Sequence, residues 1–199
     1  MVSMGGGTLG PERRVVKDFC LDVTEVTASA YAACVRAGKC TEPGRDLYGT
    51  YGVAGKETHP VNYVDWDQAV AYCQWMGKRL PTQEEWWWAA QGGETGTRFP
   101  WGNESPGAQL CWDGEGNDKG KMRRAGTCPV GSYPRGDSPQ GAKDLEGNVS
   151  EWTSTPVGSG AARVCVGSSW STRKTLAASY VFPPSDRYDF LGFRCAATP

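Results

Sequence analysis

Apolar residues recur with a helical period in three short stretches of the N-terminal half. The first follows Thr27 and runs from Ala28 to Ala37, with Gly38 as the stop. A threonine N-cap and a terminal glycine bracket it. The second runs from about Trp66 to Met76, with Ala69, Val70, Cys73 and Trp75 as its apolar side and Gly77 behind it. The third opens at Pro81-Thr82-Gln83-Glu84-Glu85, where T-x-x-E predicts a capping box, and closes at Gly92-Gly93. Beyond Gly93 no helical period survives, and Gly, Pro, Asn and Asp recur every few residues. Short strands are predicted at Val164–Val166, Ser169–Trp170 and Phe193–Cys195, separated by long loops.

Composition sharpens this picture. The chain has 199 residues, which suits one domain with a proper core. Tryptophan is common and leucine and isoleucine are scarce, so aromatic rings must supply much of the buried area. The formal net charge of −1 offers no electrostatic case for nucleic acid or an anionic membrane. Lys119, Lys121, Arg123 and Arg124 form one short basic cluster among glycines and read as a solvated loop. No apolar run is long enough to span a bilayer, and residues 1–14 read as a flexible N-terminus ahead of a domain at 15–199. Eight cysteines with no C-x-x-C, and a single histidine, His59, argue against tetrahedral zinc and for disulfides in an extracytoplasmic setting. A signal or anchor would then be missing from this sequence.

Several linked motifs carry a family resemblance. They are His59-Pro60-Val61-Asn62-Tyr63-Val64-Asp65-Trp66, Gly77-Lys78-Arg79-Leu80-Pro81-Thr82, Phe99-Pro100-Trp101-Gly102-Asn103, Gly147-Asn148-Val149-Ser150-Glu151-Trp152, Gly167-Ser168-Ser169-Trp170 and Leu191-Gly192-Phe193-Arg194-Cys195. In this order they resemble the formylglycine-generating-enzyme (sulfatase-modifying factor) family over nearly the whole chain. The resemblance implies an α+β, C-type-lectin-like fold that is disulfide-rich and low in regular secondary structure.

It also implies an activity, the oxidation of a sulfatase cysteine to formylglycine with oxygen and copper(I). Copper(I) prefers two thiolates. The family supplies them as C-x-x-x-x-C just after the G-x-S-aromatic motif, and here those positions hold Thr172 and Ala177. A hydroxyl and a methyl cannot replace thiolates, so no copper is expected. Ser169 matches an active-site serine of the family; a strand serine bonded to backbone is the competing reading. One histidine cannot build the iron site of the related sulfoxide synthases, and His59 reads as packed.

By match to the family, Cys73 and Cys195 are paired. In the chain-entropy model such a loop of roughly 120 residues is worth up to about 5 kcal/mol. Proximity suggests Cys34–Cys40 and Cys111–Cys128, and elimination leaves Cys20–Cys165; two free, functional cysteines are the alternative. The resemblance further implies calcium at Asp144 and Glu151 with the carbonyls of Gly147 and Val149, a shell that suits a hard cation. An Asx turn at Asn148, with Glu151 either solvated or paired to an arginine, is the alternative. Leu110 stands where a second calcium site would need asparagine.

The functional expectation is a non-catalytic binding module, monomeric, that takes a protein or peptide ligand through its C-terminal loops. Trp170, Arg173, Tyr180, Phe182, Arg187, Tyr188 and Phe190 are the candidate binding residues, because aromatic and arginine side chains dominate binding hot spots. The alternatives are a formylglycine-generating oxidase with displaced ligands, or a related enzyme modifying a protein cysteine, and a retroelement-diversified ligand-binding protein.

Overall fold

A computed structural model describes residues 1–120, 123–173 and 178–199. The three helices stand where their caps place them. In α1 (Ala28–Arg36) the Thr27 hydroxyl accepts from Ala30 N, and α2 (Trp66–Trp75) and α3 (Gln83–Ala90) both carry complete capping boxes, from Asp65 with Gln68 and from Thr82 with Glu85. Each cap satisfies backbone N–H groups that a helix start leaves unpaired. Gly77 follows α2 with φ of 69°, a left-handed turn that glycine adopts without steric cost.

Among the described residues, nine short strands form three sheets. β1 (Val2–Met4), β4 (Phe19–Leu21) and β9 (Ala196–Ala197) make an antiparallel sheet in the order β1-β4-β9, and β2 (Gly7–Leu9) pairs with β3 (Arg14–Val16) as a hairpin. The third sheet has the order β7-β6-β5-β8, from β5 (Ser150–Val157), β6 (Ala162–Val166), β7 (Ser179–Phe182) and β8 (Leu191–Gly192). β8 runs parallel to β5; the other pairs are antiparallel.

Alternation along β6 sends its side chains into two cores. Cys165 joins Tyr31, Tyr72, Trp152 and Phe193 under α1 and α2, while Val164 and Val166 join Phe19, Leu21, Trp86 and Leu145 under α3. Tyr72 meets Phe193 edge-on with centroids 5.5 Å apart and stacks on Tyr31 at 5.8 Å. Rings thus fill the space that aliphatic residues would fill in a leucine-rich domain.

Several expectations change. Residues 2–4 and 7–9 are paired strands, not a flexible leader, because Val2, Ser3 and Met4 find hydrogen-bonding partners on β4. Ser169–Trp170 is a turn, and Phe193–Cys195 lies between β8 and β9 without belonging to either. The longest strand, β5, was hidden inside the Gly147–Trp152 motif, whose irregular start masks the run of Thr and Val residues that follows.

Three disulfides are present: Cys73–Cys195, Cys34–Cys40 and Cys111–Cys128. The fourth expected pair is absent. Cys20 and Cys165 are free thiols. Cys20 lies between Phe19 and Leu21 on β4, so strand alternation turns it away from the core that those two enter, whereas Cys165 points into the other core from a different sheet. Arg124 also departs from the solvated-loop reading. Its side chain is only 6% exposed and pairs with Asp118; Lys121 lies outside the described residues. No helix among the described residues is long and apolar enough to cross a membrane.

Candidate functional site

A groove of about 510 Å³ opens beside the turn at 169–173. One wall carries hydroxyls, from Ser150, Ser169, Ser171 and Thr172, with Arg173 at its end; the other is aromatic, from Tyr180, Phe182 and Phe190. Strand β7 builds the aromatic wall by alternation. Tyr180 and Phe182 stack on the same side with centroids 6.2 Å apart, and Phe190 follows at 6.3 Å from Phe182.

The hydroxyl wall is held by its own turn. Ser169 N donates to Thr172 Oγ1 at 2.9 Å, Thr172 N donates to Ser169 O at 3.0 Å, and Ser169 Oγ lies 3.1 Å from Ser171 Oγ. Asp113 clamps the turn from outside. Its N–H donates to Thr172 O at 3.1 Å, and its buried carboxylate takes Arg173 Nε at 3.1 Å.

Four of the seven expected binding residues therefore meet at the groove: Arg173, Tyr180, Phe182 and Phe190. The other three do not line it. Trp170 is buried, donating from Nε1 to Asp189 O at 3.2 Å with its ring against Tyr48. Arg187 grips Asp65, the N-cap of α2, at 2.5 Å, so it anchors the loop. Tyr188 donates to Asp186 and stacks behind Phe190 at 4.9 Å. Ser150, Ser171 and Asp113 were not singled out from the sequence. Small hydroxyls and one aspartate in a loop leave no local signal; only the chain path brings them here.

Copper(I) does not fit this groove. Thr172 Oγ1 is a hydroxyl already used by the turn, and no cysteine is among the lining residues. Ala177, the other position in question, lies outside the described residues. Cys165 is buried, and burial pushes its thiol far above the ordinary range, so it stays protonated.

Among the described residues, no group of three metal-ligating side chains gathers at the expected calcium position. Glu151 is fully buried and committed: its carboxylate accepts from Arg194 Nη2 at 2.7 Å, from Arg194 Nε at 2.8 and 3.0 Å, and from Trp86 Nε1 at 2.9 Å. The arginine-paired alternative for this glutamate is the one observed. Asp144 takes a left-handed backbone, with φ of 53°, and its Oδ2 accepts from Gly131 N at 2.5 Å. Sequence reading missed Glu25. It is 1% exposed, neither carboxylate oxygen has a hydrogen-bond partner among the described residues, and it feels the charges of Asp144, Glu151 and Arg194. Burial first, and Asp144 next, raise its pKa well above the carboxylate range. Three carboxylates thus face one guanidinium. A hard cation or a proton would satisfy the bare oxygens of Glu25, while Glu151 serves the ion pair.

The family model of the sulfatase-modifying factor enzyme 1-like domain matches residues 2–199. The chain belongs to this family. As a sulfatase-modifying-factor-like domain it is 38% identical over 159 residues to the inactive C-alpha-formylglycine-generating enzyme 2 of Bos taurus, a match covering 73% of this chain and 52% of that protein. It is 37% identical over 179 residues to the formylglycine-generating enzyme of Thermomonospora curvata, covering 74% and 58%. The chain thus spans little more than half the length of these relatives. Among solved structures, Treponema denticola variable protein 1 shares the fold at a TM-score of 0.73 with 20% identity, covering 100% of this chain and 94% of that one.

Proposed function

We propose that this domain is a non-catalytic recognition module, whose groove between the 169–173 turn and strand β7 takes an extended segment of a protein or peptide. The observation that carries this reading is Thr172, which spends its hydroxyl on Ser169 N at the position where the family holds a copper thiolate. A site without soft donors has no means of holding copper(I) and activating oxygen. The groove keeps what recognition needs, an aromatic wall opposite hydroxyls that donate and accept. The inactive relative and the fold shared with a variable protein are compatible with such a role.

Three disulfides support an extracytoplasmic location. We also propose calcium beside Asp144, supported by the unpartnered carboxylate of Glu25.

The deciding experiment exposes the protein to copper(I), oxygen and a cysteine-containing sulfatase-type peptide, and follows peptide mass. No conversion to formylglycine is expected; conversion would establish the oxidase alternative. In parallel, a displayed peptide library should enrich binders on the native protein that are lost on Tyr180→Ala/Phe182→Ala. Enrichment indifferent to that double substitution would move recognition away from the groove.

A further inference from the structure

Of the three disulfides, one is wired to a charge and to the groove. Cys111 and Cys128 pack with Trp170, the residue between Ser169 and Ser171 of the groove wall. Arg124 Nη1 donates to Cys128 Sγ at 2.7 Å, and the Tyr133 hydroxyl lies 3.6 Å from the same sulfur. Arg124 is itself fixed: its Nε donates to Trp112 O at 3.0 Å, its Nη2 donates to Tyr133 Oη at 2.9 Å, and its N–H donates to Asp113 at 3.0 Å. Cys73–Cys195 and Cys34 lie instead in the apolar core, with Cys40 packed against it. Asp113, two residues beyond Cys111, is the clamp that holds Thr172 O and Arg173.

We infer that Cys111–Cys128 is a redox latch on the groove wall, opened by an external dithiol. A thiolate of the dithiol attacks Cys111 Sγ and forms a mixed disulfide. The Cys111–Cys128 bond breaks, and its electron pair leaves on Cys128 Sγ. Arg124 Nη1 stabilises that leaving thiolate, which sets the direction of cleavage, because exchange runs faster toward the better leaving thiol; the Tyr133 hydroxyl donates instead to Asp118 Oδ2 at 3.1 Å. The second thiol of the reductant then attacks the mixed disulfide, closes its own disulfide and releases Cys111, which takes up a proton. Two electrons and two protons pass from the dithiol to the protein, the second proton being shared between Cys128 and solvent according to pH. Both cysteines are buried, so attack proceeds through local opening beside Glu115, Asp118, Lys119 and Gly120, which are exposed. Once the bridge is open, Asp113 is no longer tethered two residues from a covalent anchor, and the 169–173 turn loses its external clamp. The consequence for ligand affinity rests on the recognition reading above; the loosening of the wall does not.

The test uses the full chain in graded dithiothreitol, with alkylation and peptide mass spectrometry reporting each bridge, and amide exchange reporting Asp113 and residues 169–173. In the wild type, exchange at these amides should accelerate in step with reduction of Cys111–Cys128. Arg124→Ala should raise the dithiothreitol needed for half-reduction of this bridge about tenfold, with Arg124→Lys near wild type. An Arg124→Ala threshold within the error of the wild-type value would overturn the role of the charge. Unchanged exchange at Asp113 and 169–173 with the bridge open would overturn the latch. Should Arg124→Ala fail to fold, Cys111→Ser/Cys128→Ser decides: its exchange at 169–173 must match that of the reduced wild type, and protection equal to the oxidised protein refutes the latch. A domain that binds no peptide but passes these measurements would lose the recognition reading and keep the latch.

Discussion

Arg194 meets Glu151 through both Nε and Nη2 at 2.7 to 3.0 Å, with both side chains at zero exposure. The pair ties the strand of the Gly147–Trp152 motif to the Leu191–Cys195 segment. Arg194 also donates from Nη2 to Lys143 O at 2.8 Å and from Nη1 to the carbonyls of Asp22 and Val23. One guanidinium therefore gathers four stretches of chain.

Breaking this pair from one side should be costly. Arg194→Met leaves Glu151 buried without its counter-charge, and a loss of about 3–5 kcal/mol in urea unfolding is expected. Arg194→Met combined with Glu151→Leu should recover a large part of that loss, since the remaining charge is then gone. A double variant as weak as the sum of two independent losses would show that the pair is not coupled.

Thiol chemistry separates the two unpaired cysteines. Native alkylation should label Cys20, which is half-buried on β4, and leave Cys165 untouched until the protein is unfolded. Intact mass under denaturing, non-reducing conditions should add two labels in total. Zero labels would restore the fourth bridge and contradict the separate sheets in which these cysteines lie.

Acid should weaken the domain through His59. Burial, and Lys56 next, lower its pKa from 6.5 to about 4, and Nδ1 meets Thr127 Oγ1 at 2.8 Å. The unfolded chain binds a proton below pH 6.5 while the folded chain does not until about pH 4, so stability falls as pH drops through this window. After allowance for solvent screening, about 1–2 kcal/mol is expected. Other carboxylates titrate nearby, so the measured quantity is the difference between wild type and His59→Gln across pH 4–7. Parallel curves for the two proteins would remove His59 from the account.

Calcium and a proton compete as explanations of Glu25. Added calcium should raise the thermal midpoint of the wild type and do so less in Asp144→Ala, with chelator reversing the shift. A midpoint indifferent to calcium, together with stabilisation by Glu25→Gln, would instead show that Glu25 is held as the neutral acid.

The helices, and the caps at Thr27 and Thr82, were legible in the chain because their physics is local. Each of these hydroxyls satisfies an N–H three residues away, and apolar period decides which side is buried; the Asp65 cap of α2 came only from the structure. The family and the missing copper thiolate at Thr172 were legible for the same reason, as motifs of adjacent residues. Cys34–Cys40 could be read from its separation of 6 residues, whereas Cys73–Cys195, separated by 122, rested on the family resemblance. The groove was legible only in part. Arg173, Tyr180, Phe182 and Phe190 were found by composition, but Trp170, Arg187 and Tyr188 have the same composition and point elsewhere. Sheet membership and strand alternation decided that Cys20 and Cys165 stay apart. The three-dimensional path alone brought Asp113 to Thr172, Glu151 to Arg194 and Glu25 to Asp144. Burial of a charge is settled by which distant partner reaches it in a low-dielectric interior, and no spacing along the chain encodes that.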